Sequence, residues 1–283
     1  MVEIENLQFS YSKTKPFIKN MNFSVNKGEI FGFLGPSGAG KSTLQKIMTG
    51  ILITYEGSVM IDGLEVKKHD NSFYENIGVD FEFPSIYAKF TALENLNFFG
   101  ALYKREMINP FTLLKMVGLE DHAHKKVSEF SKGMKSRLNF VKALIHQPDI
   151  LFLDEPTAGL DPSNARVMKN IILQQKEQGK TIILTTHNMH DATELCDKVA
   201  FIVDGEIKAL DTPHNLIMKK GGNTIKYSYL EGSKEIQSTA YLYETANDLI
   251  LKKMINENKL LSIHSSEPTL EDIFIEVTGR CLQ

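Results

Sequence analysis

Gly35-Pro36-Ser37-Gly38-Ala39-Gly40-Lys41-Ser42-Thr43 combines glycines, a lysine and adjacent hydroxyls in the pattern G-x-x-x-x-G-K-[ST]. Such glycines let backbone N–H groups close around phosphate oxygens with no side chain in the way. A helix starting there adds unpaired donors and a favourable dipole. Lys41 then reaches the β and γ phosphates of a nucleoside triphosphate, and the Ser42 hydroxyl reaches Mg²⁺. Downstream, Asp154-Glu155 follows the apolar run Ile150 to Leu153, which places two carboxylates at the mouth of a buried strand, where open α/β sheets bind ligands. Asp154 suits outer-sphere support of Mg²⁺, and Glu155 suits orienting and deprotonating the water that attacks the γ-phosphate. A lone Asp-Glu pair is more often a solvated acidic turn; the upstream loop tips the balance towards chemistry. Phe130-Ser131-Lys132-Gly133-Met134 opens an amphipathic helix, with Ser131 a natural N-cap and Gly133 allowing close approach of a phosphate. An ordinary N-cap is the commoner meaning of such a segment. One triphosphate per chain needs one cradle, so a spare phosphate-binding helix end makes sense if it serves another molecule's nucleotide.

These groups need a scaffold. Ile30 to Leu34 is a buried-strand run feeding the glycine loop, and Leu44, Ile47 and Met48 share a helix face behind it. Val2 to Phe9, Met21 to Val25 and Ser58 to Ile61 alternate and predict an antiparallel patch. From Ala88 to about Ile145 the pattern turns helical, with Leu93, Leu96 and Phe99 near one face and Met134, Leu138, Val141 and Ile145 near another. Ile150 to Leu153, a helix from Ser163 to Gln178 ended by Gly179, and Thr181 to Thr186 then alternate as in a parallel, doubly wound sheet. Asp204-Gly205, between Val199 to Val203 and Glu206 to Leu210, signals a hairpin turn. Lys219-Lys220-Gly221-Gly222 reads as a joint. Beyond it Thr224 to Leu230 alternates, with Ile225, Tyr227 and Tyr229 on one side; Glu244 to Lys253 is helical in pattern, and Thr269 caps a helix with Asp272 at its third position.

A length of 283 residues leaves room for one large α/β domain and a small appendix, and 42% hydrophobic residues suit a packed core. Unbroken apolar stretches stop at four or five residues, far below the roughly 18 that a membrane span needs. The start Met1-Val2-Glu3-Ile4-Glu5 lacks the basic and apolar segments of a secretory leader. Cys196 and Cys281 are unlike a disulfide framework and fit a reducing cytoplasm. A net charge of −3 gives no reason to expect nucleic acid as a partner.

In order and spacing these segments resemble the ATP-binding cassette (ABC) ATPase family, across roughly residues 1–220. Gly35 to Thr43 matches the Walker A loop, Ser131 to Met134 the signature segment, and Ile150 to Glu155 the Walker B strand with its following glutamate. Ala158-Gly159-Leu160-Asp161 matches the D-loop. His187, just past Thr185-Thr186, matches the switch histidine, and Tyr11 resembles the aromatic that stacks on adenine. The resemblance implies a P-loop NTPase fold with an antiparallel β patch and a helical subdomain, here a nucleotide-binding domain over 1–220 with the subdomain at about 88–145. A small α/β extension over 223–283 follows it. It also implies ATP and Mg²⁺, and a head-to-tail homodimer or pseudo-dimer with each ATP between one subunit's Walker A loop and the other's signature helix. Lys41, Glu155 and His187 are then catalytic. Tyr11, the residues Gly35 to Thr43, Ser131, Gly133 and Asp161 hold nucleotide, and Ser42, Glu82 and Asp154 serve the metal.

Two residues depart from the family pattern. Glu82, in Val79-Asp80-Phe81-Glu82-Phe83-Pro84, stands where the family has its Q-loop glutamine and adds a negative charge beside the phosphates. Lys132 replaces the first of two signature glycines; its backbone is expected to suffice, with its side chain pointing aside. The tail Glu267 to Phe274, with Thr278-Gly279-Arg280 behind it, resembles drug and antimicrobial-peptide export ATPases of the type-2 exporter branch. The expectation is therefore an ATPase subunit powering a separately encoded membrane permease that exports a drug, peptide or lipid-like substrate, peripheral on the cytoplasmic face of the cell membrane. Docking is expected near Glu82 to Ala101, including Tyr87. The rival is a soluble ABC ATPase energising a nontransport assembly such as iron–sulfur cluster biogenesis.

Overall fold

Alternation in Val2–Phe9 turns Val2, Ile4, Leu7 and Phe9 inward as strand β1, which pairs antiparallel with β2 (Ile18–Val25). The continuous apolar run becomes β3 (Ile30–Leu34), buried at every residue, and leads through the glycine loop into α1 (Lys41–Met48). Strands β4 (Glu56–Ile61) and β5 (Leu64–Glu65) complete an antiparallel sheet in the order β2-β1-β4-β5. Helix α2 (Asn71–Asn76), capped by Asp70, turns directly into β6 (Ile77–Asp80). The computed structural model describes residues 1–12, 16–221, 224–265 and 268–280. Gly222, Glu267 and Cys281 of the sequence reading lie outside them.

The helical stretch divides into three α-helices. Helix α3 (Ala92–Gly100) opens with a Thr91–Glu94 capping box, and α4 (Pro110–Met116) with Asn109 as N-cap and Pro110 in the first turn. Helix α5 (Lys132–Leu144) has Ser131 at its N-cap, accepting from the Met134 N–H at 3.2 Å. Alternation then resumes with β7 (Ile150–Asp154), α6 (Pro162–Glu177), β8 (Thr181–Thr186), α7 (Met189–Leu195), β9 (Lys198–Val203) and β10 (Glu206–Asp211). The second sheet has the order β10-β9-β3-β8-β7-β6, with β6, β7, β8, β3 and β9 parallel. Because β8 lies between β3 and β7, the segments that leave all three strands share one sheet edge. Residues near positions 35, 155 and 187 meet there. Phe23 of the antiparallel sheet packs on Phe31 and Phe33 of β3, with centroids 5.6 and 5.1 Å away, joining the two sheets in one core.

The chain divides into two compact units after Leu210. The second contains α8 (Pro213–Gly221), β11 (Thr224–Glu231), β12 (Lys234–Tyr241), α9 (Leu249–Asn256), β13 (Leu260–Ser265) and α10 (Leu270–Thr278). Its antiparallel sheet has the order β12-β11-β13, and Ile225, Tyr227 and Leu251 form its core. Lys219 to Gly221, expected as a joint, instead end α8, a helix that belongs to this unit. Thr212 caps it, its hydroxyl accepting from the Asn215 N–H at 3.0 Å, and Lys219 donates to Asp211 at 2.6 Å. The helix expected over Glu244 to Lys253 is also corrected: a 3₁₀ turn, Leu242–Asn247, is separated from α9 by Asp248. The Asp248 carboxylate caps α9 through the Leu251 N–H at 3.0 Å and accepts from the Tyr227 hydroxyl at 3.0 Å. Thr269 and Asp272 form the expected capping box of α10.

Candidate active site

A sharp exit from β3 builds the phosphate loop. Gly35 has no room for a side chain, since a Cβ there would lie 2.2 Å from the Ile202 carbonyl oxygen of β9. Gly40, with φ of 114°, stands at the N-cap of α1. The Ala39 N–H donates to the Pro36 carbonyl at 3.2 Å, and the Gly205 N–H from the β9–β10 turn donates to the Ala39 carbonyl at 3.1 Å. Asp204 and Gly205, with φ of 51° and 75°, form that two-residue turn, so the hairpin also props the loop. The buried Lys41 ammonium folds over the loop, donating to the carbonyls of Gly35 at 2.6 Å and Pro36 at 3.1 Å. Burial holds its pKa below the usual lysine value, against the opposing pull of Glu155, Asp154 and Glu82.

Asp154 ends β7, buried, and accepts from the Thr185 hydroxyl of β8. Glu155 follows at φ 52°, its N–H given to the Thr185 carbonyl at 2.9 Å. Its carboxylate accepts from the Thr186 hydroxyl at 3.1 Å and from His187 Nδ1 at 2.8 Å. A carboxylate accepts only, so the His187 Nδ1 carries the proton in that bond, and the neutral ring has only an acceptor at Nε2.

These groups converge on a cleft of about 280 Å³ lined by Ser37, Gly38, Gly40, Lys41, Ser42, Thr43, Glu82, Asp154, Glu155 and His187, with Phe17 and Ala158. A second, contiguous hollow of about 490 Å³ shares Phe17 and Gly38 and adds Tyr11 and the Asp204-Gly205 turn. Tyr11 is 61% exposed, packs edge-on against Phe9 and Phe17, and shares a 2.9 Å hydrogen bond with Thr43. Ser42, Asp154 and Glu82 offer only hard oxygens to the cleft, a donor set that fits Mg²⁺.

Ser131, Gly133 and Asp161 do not line this cleft. Ser131 is exposed at the start of α5. Asp161 caps α6, accepting from the Asn164 N–H at 3.0 Å, and its bonds to Asn164 hold its carboxyl below the usual range. Lys132 follows Ser131 as the first residue of α5. It runs along Gly159 and helps line a smaller chamber of about 100 Å³ that also touches Glu82, Asp154 and Glu155. That chamber exposes residues that sequence reasoning passed over. Asp80, at the end of β6, accepts from the Asn139 side chain of α5, and burial pushes its carboxyl up to about 7, against the pull of Lys142 and Asn139. An acid closing the otherwise apolar strand Ile77-Gly78-Val79 was the available signal.

A phosphate loop on a parallel sheet, with paired carboxylates and a histidine on the same edge, defines a P-loop nucleoside triphosphatase. Residues 18–158 match the family model described as "ABC transporter". Across its whole length the chain is 44% identical to 94% of a fluoroquinolones export ATP-binding protein of Mycobacterium tuberculosis. It is 34% identical to a linearmycin resistance ATP-binding protein of Bacillus subtilis, with both chains fully covered. Among solved structures, a dimeric ATP-binding cassette in a post-hydrolysis state bound to ADP and Pi superposes with a TM-score of 0.68 and 27% identity, over 75% of this chain and 98% of that one. The chain belongs to the ABC transporter family, as an ATP-binding subunit with ATPase activity. The names of these relatives lend no support to the iron–sulfur alternative. Among the described residues no helix is long and apolar enough to cross a membrane.

Proposed function

We propose that two copies of this chain bind Mg·ATP head to tail and hydrolyse it to drive a separate membrane permease that exports a drug-, peptide- or lipid-like molecule from the cytoplasmic face. The observation that carries this reading is the split set of functional groups. Lys41, Ser42, Asp154, Glu155 and His187 share one cleft, while Ser131 and Gly133, the other phosphate-binding helix end, lie outside it. The second copy supplies what is missing, in keeping with the dimeric cassettes among similar structures. Export follows the names of the relatives.

Lys41 and the loop N–H groups bind the β and γ phosphates, and Tyr11 with Phe17 forms the wall beside the base. Ser42 and Asp154 would hold Mg²⁺, with Glu82 as a further oxygen donor; bound there, the ion neutralises charge on the phosphates. Glu155 keeps acceptor capacity beyond its bonds to Thr186 and His187, so it can orient a water and take its proton as the oxygen attacks phosphorus. The permease has a suitable landing place. Tyr87, Phe90 and Phe98 stand exposed in mutual ring contact at 5.1 to 6.1 Å, and Phe83 is 80% exposed.

Glu155→Gln tests the chemistry. It should lower ATP turnover by about 10² to 10⁴ while sparing ATP binding, leaving an ATP-bound dimer visible by size-exclusion chromatography. Turnover close to the parent's would overturn the assignment. In the same preparations, the membrane protein encoded beside this gene should co-purify with the parent chain and stimulate its turnover; failure of every such neighbour would remove the transport half of the reading.

A further inference from the structure

Asp80 and Asn139 are buried at 4% and 1% exposure, one at the end of β6 and the other midway along α5. A buried carboxylate is costly without a donor, and Asn139 supplies one. The same Nδ2 group donates to the Phe81 carbonyl at 3.2 Å. Asn139 Oδ1 accepts from Lys142 Nζ at 2.7 Å, and that ammonium also donates to the Ser85 carbonyl at 3.2 Å and lies 4.9 Å from the centroid of the Phe99 ring. Asn139 and Lys142 are three residues apart, on one face of the helix. Together they fasten both ends of the segment Phe81 to Ser85. Between those anchors Glu82 reaches the ATP cleft and the adjoining chamber, whose wall includes Asp80, Asn139, Asp154 and Glu155. Ser131 leads the same helix, about 12 Å along its axis from Asn139.

We infer that Asp80 and Asn139 form a positioning latch, binding the Glu82 loop to the serine-led helix so that the two shift as one body when ATP is enclosed. The inference rests on the two-copy ATP sandwich proposed above. In that arrangement a loop that senses one ATP sets the placement of the helix that caps the other. Neither latch residue need touch nucleotide. Its loss therefore affects enclosure and turnover, while the first encounter of ATP with the Lys41 loop is spared.

The test uses the full chain with Asp80→Leu, Asn139→Leu, their combination, and Asp80→Asn, which keeps an oxygen for Asn139 to donate to. Each leucine variant should lower kcat about tenfold and raise the protein concentration for half-maximal ATP-driven dimerisation by a similar factor. The Kd of the dilute chain for ATP should stay within about twofold. The double variant should be no worse than either single, because the pair acts as a unit, and Asp80→Asn should lose no more than about threefold in kcat. Parent-like kcat and dimerisation in folded Asn139→Leu would overturn the latch, as would kcat and ATP affinity falling in step. If Asn139→Leu does not fold, Lys142→Met decides: it keeps the apolar stem, removes the tie to Ser85, and should lower kcat but not ATP affinity, and an unchanged kcat counts against the latch. A parent chain whose turnover survives Glu155→Gln would sink the ATPase assignment. Glu155-dependent turnover that ignores Asn139→Leu sinks only the latch.

Discussion

Glu155 stands in the left-handed region at φ 52°, which costs a residue with a side chain about 1 to 3 kcal/mol. The cost is offset by three bonds to β8 and its exit: the Thr185 carbonyl, the Thr186 hydroxyl and His187 Nδ1. The turn points the carboxylate into the cleft instead of along the strand. The opposite device operates at Gly35, where absence of a side chain lets the loop touch β9. A Cβ would meet the Ile202 carbonyl oxygen at 2.2 Å and the Ala39 Cβ at 3.3 Å, and a strand backbone cannot yield cheaply. Gly35→Ala should therefore displace the loop, destabilise the chain by about 1 to 3 kcal/mol and weaken ATP binding. Thermal unfolding and nucleotide titration measure the two effects. Gly38→Ala is the control: its Cβ meets nothing within 4 Å, so only the strain of φ 78° remains. A Gly35→Ala chain as stable as the parent would mean the loop does not rest on β9.

At the scale of elements, the junction between α5 and β7 is pinned by His146. Its Nε2 hydrogen-bonds the Ile77 carbonyl of β6 at 2.9 Å, and its ring stacks on Tyr103 at 3.6 Å. Burial holds the imidazole neutral, with its pKa pushed down to about 4. Below about pH 6.5 the unfolded chain takes up a proton that the folded chain refuses until about pH 4, so stability falls as pH drops through that window. Urea unfolding of His146→Gln should show a flatter loss of stability between pH 7 and pH 5 than the parent, even if the variant is weaker at pH 7; equal slopes would show that the folded ring protonates. Elements with a clear apolar pattern were legible in the sequence: β3 begins and ends with its apolar run, and β8 spans Thr181–Thr186 around the apolar Ile182 to Leu184. Helix α4 was not, because seven residues cover two turns and show no period. Thr212-Pro213 was a readable start for α8, yet the paired glycines downstream drew the boundary to themselves. Walker-type residues could be read because phosphate chemistry fixes their types and spacing. The tie between Asp80 and Asn139 could not, since it joins positions 59 apart through a contact that only the packing of α5 on β6 creates.

For the whole molecule, the decisive question is whether an active site is contained in one copy. Ser131 is exposed and outside the cleft of its own chain, although its N-cap geometry presents the helix start that phosphate binding requires. Two-fold symmetry makes the consequence reciprocal: if Ser131 of one copy completes the Lys41 site of its partner, the partner's Ser131 completes the first copy's site. Lys41→Ala removes the charge facing the phosphates, and Ser131→Arg blocks the helix end, so each homodimer carries two damaged sites. A mixed dimer carries both lesions in one site and none in the other. Mixing the two inactive variants should restore part of the ATP turnover and retain one ATP per mixed dimer, measured by filter retention after rapid removal of free nucleotide. Retention without turnover would mean that both sites must be intact for hydrolysis, and it would still establish that sites are shared. If neither returns in a mixture shown to exchange subunits, each chain must enclose its triphosphate alone, and the exposed serine-led helix would serve no nucleotide.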